Sequence, residues 1–192
     1  MFDAETFGLF GDPFAYGYVL FDETGLVFEQ ALCACGITTT KEDYFLNFPN
    51  EISDDKLKTL KADCDWLINN IPDFSKDPLL EIAENPQDLR SQFLKAVERI
   101  KKQYPETQLV TDCMFPVESN FLTLALKQQG KDSIEFSPMV YDIGLIQLLG
   151  GKEFPFLPEE LPKHNPLNDA KQSARILLNY INGQEDMLLS YS

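Results

Sequence analysis

Two runs of aromatic and β-branched residues, Phe14 to Phe21 (FAYGYVLF) and Leu26 to Ala34 (LVFEQALCA), are joined by the turn Asp22-Glu23-Thr24-Gly25. No other stretch constrains the fold as much. Side chains of this kind suit a pleated surface, and a short polar turn ending in glycine closes an antiparallel hairpin. Met1 to Ala4 are too few to assign alone; if they form a strand, it pairs with this hairpin. From Thr40 to Tyr104 the pattern becomes helical. Leu57, Leu60, Trp66, Leu67 and Ile71 follow Ser53 at helical spacing, and Asn85-Pro86 opens a second run through Leu89, Phe93, Leu94, Val97 and Ile100. Pro72 and Pro78 separate the two.

Beyond that segment the elements alternate. Gln108 to Thr111 reads as a short strand. Pro116 opens a helix to Gln129 that stops at Gly130, Phe136 to Tyr141 reads as a strand, and Asp142 to Leu149 as a short helix. Gly150 to Lys163, with three prolines and two glycines, is a loop. Asn165-Pro166 then starts a last helix with Leu167, Ala170, Ala174, Leu177, Leu178 and Ile181 along one face. The order predicts a single α/β domain over 1–192. Its sheet is mixed and five-stranded, three antiparallel strands plus parallel ones, flanked by helices, with a helical insertion over roughly 40–104.

A composition with 44% hydrophobic residues supplies a core and excludes a disordered chain. No apolar stretch reaches the roughly 20 residues of a membrane span, and Met1 to Gly11 has no signal-peptide pattern, so a cytoplasmic protein is expected. The four cysteines, Cys33, Cys35, Cys64 and Cys113, match no zinc spacing and read as reduced and buried; a redox role for Cys33 and Cys35 is the weaker reading. The net charge of −15 opposes broad electrostatic binding of nucleic acid. It leaves room for a short substrate, a weakly held one, or a local basic patch.

Two constellations carry chemistry. In Asp3-Ala4-Glu5-Thr6-Phe7-Gly8-Leu9 the two carboxylates are two residues apart, so on a strand both point to one face about 7 Å apart. They repel unless a cation lies between or beside them; the plain alternative is a solvated acidic end. In the second, His164, the only histidine, precedes Asp169 by five residues. The carboxylate falls in the first turns of the last helix and the imidazole on the loop above it; the plain alternative is a solvated or hydrogen-bonded side chain.

Together these segments resemble the DEDDh-type 3′→5′ exonuclease family of the ribonuclease H-like superfamily. Asp3-x-Glu5-Thr6-x-Gly8-Leu9 is similar to the first motif, D-x-E-T-x-G-L, and His164-x-x-x-x-Asp169-Ala170 to the third, H-x-x-x-x-D-A. The second motif, N-x-x-F-D-x-x-F-L, is where the chain departs. Aligning Phe121-Leu122 puts Glu118 at the family's aspartate, whereas the end of the preceding strand selects Asp112, which is slightly favoured; either carboxylate can also be a helix N-terminal charge. Only Met1 and Phe2 precede Asp3, fewer residues than the family has before this motif.

The resemblance implies a ribonuclease H-like fold and phosphodiester hydrolysis at the 3′ end of single-stranded DNA or RNA, or of short oligonucleotides, with two divalent cations, Mg²⁺ or Mn²⁺. It implies Asp3, Glu5, Asp169 and either Asp112 or Glu118 as metal ligands, His164 as general base on a mobile loop, and Thr6, Phe7, Gly8 and Leu9 beside the terminal nucleotide. Lys171 and Arg175 either meet phosphates or form an exposed helix face. Phe7, Phe10 and Phe115 either stack on bases or, as the commoner role, fill the core. The 40–104 segment has room to cap a substrate groove, to join two copies as a homodimer, or to serve only as core. Two rival readings are a family member without turnover that binds a metal or a partner, and an acidic interaction protein for a basic partner.

Overall fold

A computed structural model describes residues 1–9, 11–35, 64–112, 114–130, 141–144, 154–183 and 187–191. The sheet starts where the sequence predicts. Strands β1 (Phe2–Thr6), β2 (Pro13–Phe21) and β3 (Leu26–Cys35) form an antiparallel meander, with Asp3 opposite Gly17 and Ala15 opposite Ala34. The Asp22 carboxylate closes the hairpin turn by accepting from the backbone N–H groups of Thr24 and Leu26, and Gly25 takes the left-handed conformation there, φ 86°.

The parallel strands lie on both sides of the meander. β5 (Val110–Thr111) pairs with β1 and β6 (Tyr141–Asp142) with β5. β4 (Leu80–Ala83) and β7 (Ser190–Tyr191) both run parallel to β3 along its outer edge. Among the described residues the sheet therefore has seven strands in the order β4-β3-β2-β1-β5-β6, with β7 beside β3, two more than the sequence pattern gives. Leu80 to Ala83 is too short for periodicity to reveal. It falls inside the segment read as helical, which is corrected to helix, strand, helix over its described part. The expected helix from Ser53 is described only over residues 64–70, here α1, and the expected strand and short helix over 136–149 only at 141–144.

Helices cover both faces. α2 (Pro86–Gln103), capped by the Asn85 side chain, and α3 (Ser119–Gln128) lie on one face. There Phe93 and Phe121 meet Phe2, Ala4, Tyr16, Cys33 and Cys35 in an aromatic-rich core, with ring centroids 4.9 Å apart for Phe2 and Phe93. The thiols of Cys33 and Cys35 are free and buried. Burial pushes the Cys33 thiol up to about 12, which opposes formation of a reactive thiolate at neutral pH. Cys64 is buried too, and Cys113 lies outside the described residues.

α4 (Pro166–Asn182) covers the opposite face, packing Leu167, Ala170, Ala174 and Ile176 on Val19, Leu32 and Val110. Its entry is fixed twice. The Asn165 side chain accepts from Leu167 N at 3.0 Å, and Gly17 of β2 lies directly beneath the first turn. A methyl group on Gly17 would stand 2.2 Å from Leu167 N and 2.5 Å from Pro166 C. The helix thus rests on the sheet at backbone contact. Among the described residues no helix is long and apolar enough to cross a membrane.

Since only glycine fits at that crossing, Gly17→Ala is expected to lower the unfolding free energy by about 3 kcal/mol, read from urea unfolding. An unchanged urea midpoint would show that α4 does not sit on β2 there.

Candidate metal centre

Strand alternation turns Phe2 and Ala4 into the α2–α3 core and sends Asp3 and Glu5 to the α4 face. The adjacent elements bring acids to the same place. Val110-Thr111 ends β5 and delivers Asp112. A wide π-helical turn, Met114–Glu118, then replaces the first turn of the helix predicted from Pro116. π-turns recur at functional sites because the extra residue redirects a side chain. Here the turn buries Glu118, whose carboxylate accepts from the backbone N–H of Ala4 and shares a hydrogen bond with Asp3. Asp169 completes the group from the first turns of α4, its N–H donating to Asn165 O at 3.0 Å.

Five carboxyl groups from four segments thus face one another. Burial, reinforced by Glu5, Glu118, Asp169 and Asp112, raises the Asp3 carboxyl well above its ordinary range. Burial and then Asp169 and Glu118 do the same to Glu5. Burial pushes Glu118 and Asp169 each up to about 7. Both rivals for the second motif reach the cluster. Glu118 has the direct contact with Asp3, and its charge weighs on Asp3 ahead of that of Asp112.

His164 closes the open side. Its backbone N–H donates to Asp169 Oδ2 at 3.0 Å, its Nδ1 stands 3.9 Å from Glu5 Oε1, and its φ of 58° is left-handed. A non-glycine residue held there stores strain, which concentrates at working sites. Burial and neighbouring Lys163 lower the imidazole pKa, keeping it neutral at pH 7. One oxygen each of Glu5 and Asp169 and one His164 nitrogen lie within 4.8 Å of one another. Asp169 Oδ1 is buried with no hydrogen-bond partner among the described residues. Clustered, partly buried oxygens with spare lone pairs and raised proton affinity fit a hard divalent cation.

Beside the cluster opens a cavity of about 440 Å³ lined by Glu5, Thr6, Gly8, Leu9, Trp66, Leu67 and Val117. Thr6 Oγ1 donates to Gly8 O at 2.6 Å, Gly8 is left-handed at φ 63°, and Leu9 projects with 61% of its surface exposed. Phe7 does not join them. It is buried, edge-on to Phe14 at 5.4 Å, as a core residue. Phe10 lies outside the described residues, as does the side chain of Phe115.

The remaining expectations change. Arg175 is not part of an exposed helix face. It is buried in a two-pronged ion pair with Glu160, at 2.6 and 2.8 Å, and also donates to Pro155 O at 2.7 Å. This ties the loop before His164 to α4. Lys171 is half-buried, its ammonium over the Tyr191 ring at 5.9 Å. In the sequence Trp66 is an apolar position of the segment with room to cap a substrate groove, to join two copies or to serve as core; in the structure it touches His164, with ring centroids 5.2 Å apart at 73°. No family model, curated protein or solved structure matches the chain.

Two consequences are measurable without ligand. Asp169 titrates near 7 when folded against an ordinary 3.8, so the folded protein binds more protons than the unfolded chain between these values and loses stability as pH rises through them. In chelator-treated protein Asp169→Asn is therefore expected to stabilise by about 2 kcal/mol at pH 8, with an advantage that shrinks as pH falls from 7 to 4; destabilisation at pH 8 would contradict the cost of burying a charged carboxylate there. At position 164 the left-handed backbone should make His164→Gly more stable than His164→Ala by about 1 kcal/mol, compared by thermal unfolding.

Proposed function

We propose that the chain is a metal-dependent 3′→5′ exonuclease of the DEDDh type on a ribonuclease H-like fold. The observation that carries this reading is the convergence of Asp3, Glu5, Glu118 and Asp169 under His164, because these residues come from distant parts of the chain and the arrangement is costly without cations. Asp3, Glu5 and Asp169 would hold one divalent cation, and Asp3 with Glu118 the second, Asp112 lying close enough to contribute. Such cations, Mg²⁺ or Mn²⁺, supply an acidified water and charge stabilisation at the leaving 3′ oxygen.

The protein's own groups do the rest. Neutral His164 accepts the proton of the attacking water at its imidazole. The left-handed backbone and the hydrogen bond to Asp169 hold the backbone of His164 beside the carboxyls. Gly8 leaves the backbone open on the cavity side, and Leu9 offers an apolar edge to a terminal base. The Arg175–Glu160 pair anchors the loop that carries the base. A cavity of this size takes a strand end, in keeping with a chain whose charge of −15 gives little long-range attraction for phosphates. The same charge favours a second reading, a fold of this type that binds a metal or a basic partner without turnover.

Single-stranded DNA and RNA labelled at the 5′ end separate the two. Shortening from the 3′ end is expected with Mn²⁺ or Mg²⁺ and not with EDTA, reduced at least about 100-fold in His164→Ala and abolished in Asp3→Ala. Folded wild-type protein that shortens neither polymer with either metal would leave the non-catalytic reading.

A further inference from the structure

We propose that Trp66 is the positioning residue of His164, seating the imidazole by an aromatic edge contact; this rests on the exonuclease reading of the site. A working histidine is ordinarily oriented by a hydrogen bond from its second ring nitrogen to a carboxylate or carbonyl. The ring of His164 makes no hydrogen bond among the described residues. Its nearest charged oxygen, Glu5 Oε1, is 3.9 Å from Nδ1, beyond hydrogen-bond reach. The backbone N–H bond to Asp169 fixes where the side chain starts and not where the ring points. What the ring touches is the indole of Trp66, 5.2 Å away at 73°, the edge-to-face geometry that aromatic pairs prefer.

The helix that carries the indole is held in place. Cys64 and Leu67 on one side of α1, with Ile71 just beyond its end, are buried in one cluster with Phe7, Phe14 and Phe74. Trp66 stands on the neighbouring side, 48% exposed, over the cleft. It also lines the cavity beside Glu5 and Leu9, so a group entering the cavity meets the residue that sets the base. Occupancy of the cavity and placement of His164 are thereby linked through one side chain, and the segment carrying α1 becomes part of the catalytic apparatus.

The kinetic test uses full-length wild type, Trp66→Ala and Trp66→Phe with Mn²⁺ and a 5′-labelled single-stranded oligonucleotide, with circular dichroism to verify folding. Trp66→Ala is expected to lose roughly 10- to 100-fold, mostly in kcat, and Trp66→Phe to recover most of it. A wild-type kcat in Trp66→Ala, or a loss confined to KM, overturns the seating role while leaving the nuclease reading standing. An inactive wild type overturns both. A second measurement is independent of turnover. Trp66 is the only tryptophan and His164 the only histidine, so His164→Ala should alter the intensity or wavelength of tryptophan emission in the metal-free protein. Unchanged emission also overturns the seating role.

Discussion

Burial of carboxyl groups that also repel one another, confined beside α4, governs this structure. Asp3, Glu5, Glu118 and Asp169 are held close enough that each raises the proton affinity of at least one other or is raised by it. Such an arrangement opposes folding unless protons or cations neutralise it. The rest of the molecule supplies the opposing force. Phe2 and Ala4 fasten β1 into an aromatic core on one face, and Gly17 lets α4 press directly on β2 on the other. The acids therefore sit between two well-packed layers, and the strand that carries two of them has little freedom to move away. Strained and repulsive features of this kind persist where the surrounding packing over-determines them.

The loop above the acids shows the same logic. The buried Glu160–Arg175 pair, with Pro155 O as an extra acceptor, fixes the approach of the chain to His164. A buried ion pair contributes little net stability and much geometry, which suits a loop whose task is placement. The capped start of α4 then sets Asp169 within reach of the His164 backbone. Backbone, ion pair and cap together position the imidazole's point of attachment and leave its ring to packing.

Much of the fold was legible because its signals are local. The hairpin declares itself by composition and turn chemistry, α2 and α4 by asparagine caps followed by proline, and α3 by the glycine beyond its end. β4 and β7 were not legible. Four residues or two have no usable period, and both form only because β3 offers an edge. The π-turn at Met114–Glu118 was hidden for a similar reason, since one extra residue per turn leaves no mark on a short apolar segment. That turn is also why the sequence names Asp112 and Glu118 as rivals and slightly favours Asp112, whereas Glu118 is the one in contact with Asp3. For the candidate site, Asp3 with Glu5 and His164 with Asp169 stand out by spacing on a strand and at a helix start. Trp66 and Arg175 did not. An apolar residue at helical spacing reads as core or as part of a cap, and a basic one on a helix as solvated or phosphate-facing, until tertiary packing sets one on a cleft and buries the other.

The central claim is that the clustered acids form a divalent-cation centre. Titration of Mn²⁺ into the chelator-treated protein near pH 7.5, followed by the electron paramagnetic resonance of free Mn²⁺, tests it most directly. The account predicts saturable uptake of two ions by the wild type and loss of that uptake in Asp3→Asn. Wild-type protein that leaves Mn²⁺ as free as buffer does, or an Asp3→Asn variant that binds as the wild type does, would contradict it.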